Sequence, residues 1–372
     1  MLRPDRAAAV ARKSGFWDSD ALARCMLACG FDPDTYLDKN ADLREAGLDT
    51  QAALCHFLEH GYAEHRTAPT GPLPQGLDEL AGLPIPDRTY RQTLFKTLFL
   101  TQARHPGSAE RLWAGIDSRL IDTIHGMGGR PYVVFGDSHA HHYVRKEKFG
   151  STWLAGMPLV CHGASAGSLT HGDPFSREGA AIMRWAEANV RLKLPIFLKF
   201  GGLDAEFRWV AYRIRHNIEA FSETQFDEYA GRAIQQYGTF LDHLGAVAGS
   251  DRLRVCSTFP AALADEHWIE GYRAVHDVPP DQLAQRDAAL NRLEIPDFAT
   301  RTRLRGRFNA RLREVCEAKG LAFVDAFTPF LTARGGTDRR YLGFDRDSDD
   351  YYMDHETIGA KLAPLIHRLA AG

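Results

Sequence analysis

From residue 132 onward, short apolar runs alternate with longer stretches in which apolar positions recur every three or four residues. The runs are Tyr132–Phe135, Pro158–Cys161, Ile196–Phe200, Leu253–Cys256 and Leu321–Val324. Continuous apolar runs this short suit strands buried on both faces. Between the last two, Leu304, Phe308, Leu312 and Cys316 lie four apart and mark a helix stopped by Gly320. Upstream, Ser108 can cap a helix whose Leu112, Ile116, Leu120 and Ile124 share that spacing. Strands separated by helices imply a parallel sheet with right-handed crossovers, covered on both faces. The pattern therefore predicts an α/β fold of three layers, α/β/α, around a parallel sheet of about five strands.

Before residue 67 the periodicity is helical and the segments are short. In "WDSDALARCMLACG", Asp18 or Ser19 offers an N-cap and Gly30 a stop, and further on Leu54, Phe57 and Leu58 form an apolar stripe closed by Gly61. The stretch "TAPTGPLPQGLDELAGLPIPDR" is rich in proline and glycine, which break both helices and ladders. The expected organisation is a helical module over 1–66, a linker over 67–88 and an α/β domain over 89–372.

Composition narrows the functions. The chain has 372 residues and a formal net charge of -3, which gives no global field for nucleic acid. Arginines do gather at Arg301, Arg303, Arg305 and Arg307, and this cluster reads as the solvated face of a helix. The six cysteines form no CxxC pair, so neither a zinc site nor a disulfide framework is expected, and reduced thiols suit a cytoplasmic protein. The amino terminus has no apolar core of a secretory signal, and no stretch is long enough to span a bilayer. His139, His141 and His142 are dense but have no carboxylate pattern to complete a metal site, so no metal and no cofactor is expected.

The candidate chemistry lies where the apolar runs end, because open α/β sheets gather their ligands at the carboxyl edge of the strands. After the first run come Gly136, Asp137, Ser138 and His139, and after the second Gly163 and Gly167. The third is followed by Gly201, Gly202 and Asp204. Near the carboxyl terminus, "DRDSDDYYMDHETIGAKLAPLI" sets acids and His355 before a final helix. A nucleophilic serine needs a base within hydrogen-bond reach and donors for the oxyanion it creates. Ser138 could be that nucleophile and His355 its base, with the N–H groups of Ser138 and Gly167 receiving the oxyanion. The plainer reading is that Asp137 and Ser138 cap the next helix. Lys199 and Arg208 could balance local acids or meet an anionic substrate group.

Two resemblances sharpen this reading. The segment "VVFGDSHA" resembles the first block of the SGNH, or GDSL-type, hydrolases, with Ser138 in the nucleophile's place. "HGASAGSL" is similar to the second block and puts Gly167 at the oxyanion glycine. "FGGLD" stands where the third block has Gly-x-Asn-Asp; Leu203 replaces the oxyanion asparagine, and Asp204 is the retained acid. Gly202 and His139 fall with these on the oxyanion and substrate side. In the fourth block Tyr352 holds the aspartate's place relative to His355, so the orienting acid is Asp354, adjacent to His355, or Asp350, five residues earlier. A second alignment starts that block at Asp354 and puts Thr357 in the histidine's place. The amino-terminal module is similar to one that recurs in bacterial proteins handling surface polysaccharides, through Phe31, Tyr36, Leu37, Asn40, Asp42, Leu43, Gly47, His56, Gly61 and Glu64.

The resemblances imply a flavodoxin-like SGNH fold. They imply a serine esterase acting on O-acyl groups, O-acetyl above all, of a bacterial polysaccharide or its precursor, by hydrolysis or acyl transfer. The partners implied are the acylated glycan and, through the amino-terminal module, proteins of polysaccharide synthesis. The competing expectation is a protein that keeps the fold, has lost the chemistry, and binds or assembles polysaccharide.

Overall fold

The structure is a computed structural model that describes residues 32–56, 118–126, 128–145, 147–161, 163–172, 175–275, 283–342 and 353–370. The linker 67–88, the cap at Asp18 or Ser19, Gly30, Phe31, Phe57, Gly61, Glu64, Ser108 and Asp350 lie outside them.

The protein is α/β, with a mostly parallel sheet flanked by helices. Among the described residues six strands occur: β1 Gly129–Gly136, β2 Lys148–Phe149, β3 Thr152–Val160, β4 Ile196–Lys199, β5 Leu253–Cys256 and β6 Ala322–Val324. Their order is β2-β3-β1-β4-β5-β6; β1/β4, β4/β5 and β5/β6 pair parallel, and β2 pairs antiparallel with β3. All five apolar runs became strands. The sixth strand, β2, is two residues long and joins β3 through a turn at Gly150, which is too short to leave a periodic signal.

The chain divides into two compact units, Met1–Pro131 with Lys148–Met157, and Tyr132–Glu147 with Pro158–Gly372. In the first, the helices are α1 Pro33–Lys39, α2 Ala41–Glu45, α3 Thr50–His56 and α4 Ser118–Gly126. Several residues singled out in the amino-terminal segment serve packing. Tyr36 is wholly buried and its hydroxyl lies 3.0 Å from His56 Nδ1, Asn40 Nδ2 donates to the Tyr36 carbonyl at 2.7 Å, and Gly47 takes φ +77° after α2.

In the second unit the flanking helices are α5 Arg177–Asn189, α6 Trp209–Arg215, α7 Glu223–Ala248, α8 Trp268–Val275, α9 Leu283–Leu290, α10 Phe298–Ala318 and α11 His355–Leu369. α7 buries Phe226, Ala230, Ala233, Tyr237, Phe240 and Leu244, one stripe at helical spacing, and packs on α5 and α10. α10 starts at Asp297, whose carboxylate accepts from Thr300 N.

The arginine cluster on α10 is only half solvated, contrary to the expectation from sequence. Arg303 and Arg307 face outward and pair with Glu223, whereas Arg301 and Arg305, four apart, are buried. Both grip the carboxylate of Glu206, Arg301 at 2.8 Å and Arg305 at 2.7 Å, and Trp268 Nε1 adds a third donor at 2.7 Å. Burial would raise the Glu206 carboxyl, but the two guanidinium groups prevail and hold it at about 2, below an ordinary 4.5. A carboxyl depressed in the folded state stabilises in full above its unfolded value. That contribution, roughly 3 kcal/mol at about 1.4 kcal/mol per pKa unit, fades as pH falls from 4.5 toward 2. Glu206→Ala leaves two buried cations unopposed and should cost about 3–5 kcal/mol in urea denaturation at neutral pH. It should also flatten the acid limb of the stability curve between those two pH values.

Candidate active site

β1 ends at Gly136, beside Lys199 of β4; a Cβ at Gly136 would overlap the Lys199 carbonyl, so the close approach demands glycine. The chain then turns into a 3₁₀ helix, Ser138–Tyr143. Asp137 is its N-cap, its Oδ1 accepting from His139 N at 2.9 Å, and Ser138 stands half-buried at the first position. Asp137 therefore does the capping that the plainer reading shared between the two residues. The end of the turn is pinned to β1: the Tyr132 hydroxyl donates to the Tyr143 carbonyl at 2.7 Å and accepts from Arg145 N at 3.0 Å.

Beneath Ser138 lies a buried charged cluster. The Asp137 carboxylate can only accept, so His139 Nδ1, at 3.1 Å, carries the proton between them. Burial pushes the His139 imidazole down, so the ring is neutral at neutral pH. Burial opposes the Asp137 carboxylate, yet the His139 donors and the charge of Lys199 keep its pKa below the ordinary value. Lys199 is wholly buried, with Nζ 4.8 Å from the centre of the Phe259 ring and no hydrogen-bond partner among the described residues. Desolvation lowers it to about 8 against the pull of Asp137. The expectation that Lys199 meets a substrate anion fails, because it lies in the interior.

The second and third blocks meet at Asp204. This carboxylate, 1% exposed, accepts from Ala166 N at 2.7 Å and Gly167 N at 3.1 Å. Burial raises its pKa despite those two bonds, and the charge of Asp137 adds to the rise. The amide of Gly167 is thus engaged by Asp204 in this structure rather than turned to an oxyanion. Gly167 also needs to be glycine for packing, since a Cβ would stand 3.0 Å from the Ala233 Cβ of α7. Gly202 opens a helical stretch, and a Cβ there would lie 3.4 Å from Asp137 Oδ2 and 3.8 Å from His139 Nδ1. The third block therefore abuts the Ser138 turn. Leu203 is buried.

His355 is the first residue of α11, which packs against the Ser138–Tyr143 turn. Arg145 lies against α11 at Gly359. The His355 side chain lies outside the described residues. Asp354 is the N-cap of α11, its Oδ1 accepting from Thr357 N at 2.6 Å, which accounts for both Asp354 and Thr357 in local terms. Among the described residues no group of three metal-binding side chains gathers, and no helix is long and apolar enough to cross a membrane. Cys161, Cys256 and Cys316 are buried, in no disulfide, and burial pushes each thiol up to about 12.

Sequence reasoning missed the buried charge of Lys199 near Asp137 and the Glu206 network. The first had a signal, a lysine ending a buried apolar run. The second had none, because Arg303 and Arg307 share the four-residue spacing of Arg301 and Arg305.

No protein-family model matches this chain, and no curated protein matches it. Among solved structures it is similar to a GDSL-like lipase from Bacteroides thetaiotaomicron, at 13% identity over 64% of this chain and 88% of that one, with a TM-score of 0.35. It is also similar to a lipase from a goat rumen metagenome, at 12% identity over 63% of this chain and 96% of that one, with a TM-score of 0.35. With scores this low, the site stands on its own geometry.

Asp204 holds the loop by two backbone donors, so Asp204→Ala should release both. Hydrogen exchange at Ala166 and Gly167 should quicken, and stability should fall by about 2–3 kcal/mol. Asp204→Asn, which keeps one acceptor, should lose less on both measures.

Proposed function

We propose that the protein is a serine esterase of the SGNH kind that acts on O-acyl groups, O-acetyl above all, of a bacterial polysaccharide or its precursor. The observation that carries this reading is the seating of α11, which begins at His355, against the turn that begins at Ser138. It supports a serine and a histidine from opposite ends of the domain working at one sheet edge.

In this reaction the Ser138 hydroxyl attacks the acyl carbonyl and passes its proton to His355. The tetrahedral oxyanion collapses, the glycan oxygen leaves with that proton, and the acyl group stays on Ser138. Water or a sugar hydroxyl then attacks the acyl-enzyme, and the same histidine takes and returns the proton, so hydrolysis and transfer share the first half. With the Gly167 amide held by Asp204 and Leu203 apolar, the oxyanion falls to backbone donors at two helix starts, Ser138 N–H and Gly202 N–H. A donor set without the asparagine gives a slow enzyme, by on the order of a hundredfold.

Ser138→Ala should abolish labelling by a fluorophosphonate probe. It should lower hydrolysis of a small aryl acetate and of an acetylated glycan by roughly a thousandfold or more, with the fold intact by circular dichroism. His355→Ala should lose a comparable amount. Of Asp354→Ala and Asp350→Ala, the more damaging identifies the orienting acid. Equal inertness of wild type and Ser138→Ala to every acyl ester, with no labelling, would turn the reading to a glycan-binding protein.

A further inference from the structure

Beyond the Asp204–Arg208 turn, aromatic rings and guanidinium groups share one surface. Tyr212 of α6 stacks on Trp209, with ring centres 5.7 Å apart and planes at 17°. It also meets the His216 ring at 4.3 Å and the Tyr229 ring of α7 at 5.4 Å. The Arg232 guanidinium sits 5.4 Å from the centre of the Tyr212 ring. Arg208, Arg215, Arg232 and His216 are exposed, and both tyrosines are half-buried. Burial pushes the Tyr229 hydroxyl upward, and the charges of Arg208, Arg232 and Arg215 all reach it in opposition.

None of the three arginines is in an ion pair among the described residues. Among the described residues, Arg303, Arg307, Arg311, Arg313 and Arg340 each pair with a carboxylate. Arg208 instead donates to the Gly163 carbonyl at 2.9 Å, and Arg215 and Arg232 make no ion pair. Asp204, the acid whose charge reaches Tyr229, is buried and spent on Ala166 and Gly167. Three cations thus reach one aromatic cluster without being held in an ion pair among the described residues, next to the loop that the second block forms.

We propose that Tyr212, Tyr229, His216, Arg208, Arg215 and Arg232 bind an acidic sugar chain, the rings receiving pyranose faces and the guanidinium groups the carboxylates. This rests on the esterase reading and names its substrate class, a uronate-bearing glycan. The guanidinium fork matches a carboxylate in two parallel hydrogen bonds, which a lysine could not supply. A nucleic acid fits less well. A duplex site neutralises about six to ten phosphates, whereas three arginines stand here. The Tyr212, His216 and Tyr229 rings are tilted against one another by 42–47° rather than set out as separate platforms for successive bases.

The test is fluorescence titration of the full chain with oligogalacturonate, an uncharged glucan of equal length, and oligothymidylate. Oligogalacturonate should bind wild type and Ser138→Ala alike, and more weakly as salt rises. The double variant Arg215→Gln, Arg232→Gln should lose roughly tenfold in affinity with its melting temperature kept. Arg339→Gln, an exposed arginine elsewhere, should change affinity by less than about twofold. Equal affinity for the neutral glucan, tighter binding of oligothymidylate, or a double variant that binds like wild type would each overturn the proposal. Failure of the esterase reading appears separately, as wild type left unlabelled by the fluorophosphonate probe with binding of oligogalacturonate retained.

Discussion

One turn of backbone, the wide helical turn Asp204–Arg208, holds the sheet edge together. A buried carboxylate is expensive unless its oxygens are satisfied, and this turn carries two. Asp204 and Arg208, four apart, lie on one face and both reach the 163–167 loop, the first through Ala166 N and Gly167 N, the second through Gly163 O. Glu206, two residues from each, faces the other way and binds α10 through Arg301 and Arg305. The opposite directions of the two acids follow from their partners. Neutral backbone donors leave burial dominant at Asp204, whereas two cations overcome it at Glu206. The loop and α10 are thereby both referred to the end of β4.

The ground beneath Ser138 is electrostatic in the same sense. Asp137 and Lys199 are wholly buried on neighbouring strand ends, and each reduces the cost of the other's charge. With His139 neutral, the pair sums to no net charge. Asp137 also stiffens the turn through the two hydrogen bonds it accepts from His139.

The strands were legible because a strand buried on both faces has no polar position to blur its run, and β5 begins and ends where Leu253 and Cys256 do. A helix end was legible where a glycine announces it, as Gly320 does just after α10, at φ +64°. Partners distant in sequence were not. Nothing local distinguishes Arg301 and Arg305 from Arg303 and Arg307; a residue about a hundred positions away decides which pair is buried. In the candidate site the residue types were legible and their bonds were not: Gly167 was read as an oxyanion donor, and its amide belongs to Asp204.

The same bonds give several motif residues a structural reason for being there. Gly136 is required by the Lys199 carbonyl, Gly167 by Ala233, and Asp204 by the loop amides, so each has a structural reason whether or not any ester is cleaved. The module residues Tyr36, Asn40 and His56 are explained in the same way by bonds within their own helices. Around Ser138, the turn's capping bond is made by Asp137, its floor by Lys199 and Phe259, and its exit by Tyr132. These contacts hold Ser138, half-buried, at the head of a turn on which α11 packs, so packing fixes where the hydroxyl stands and by itself assigns it no reaction.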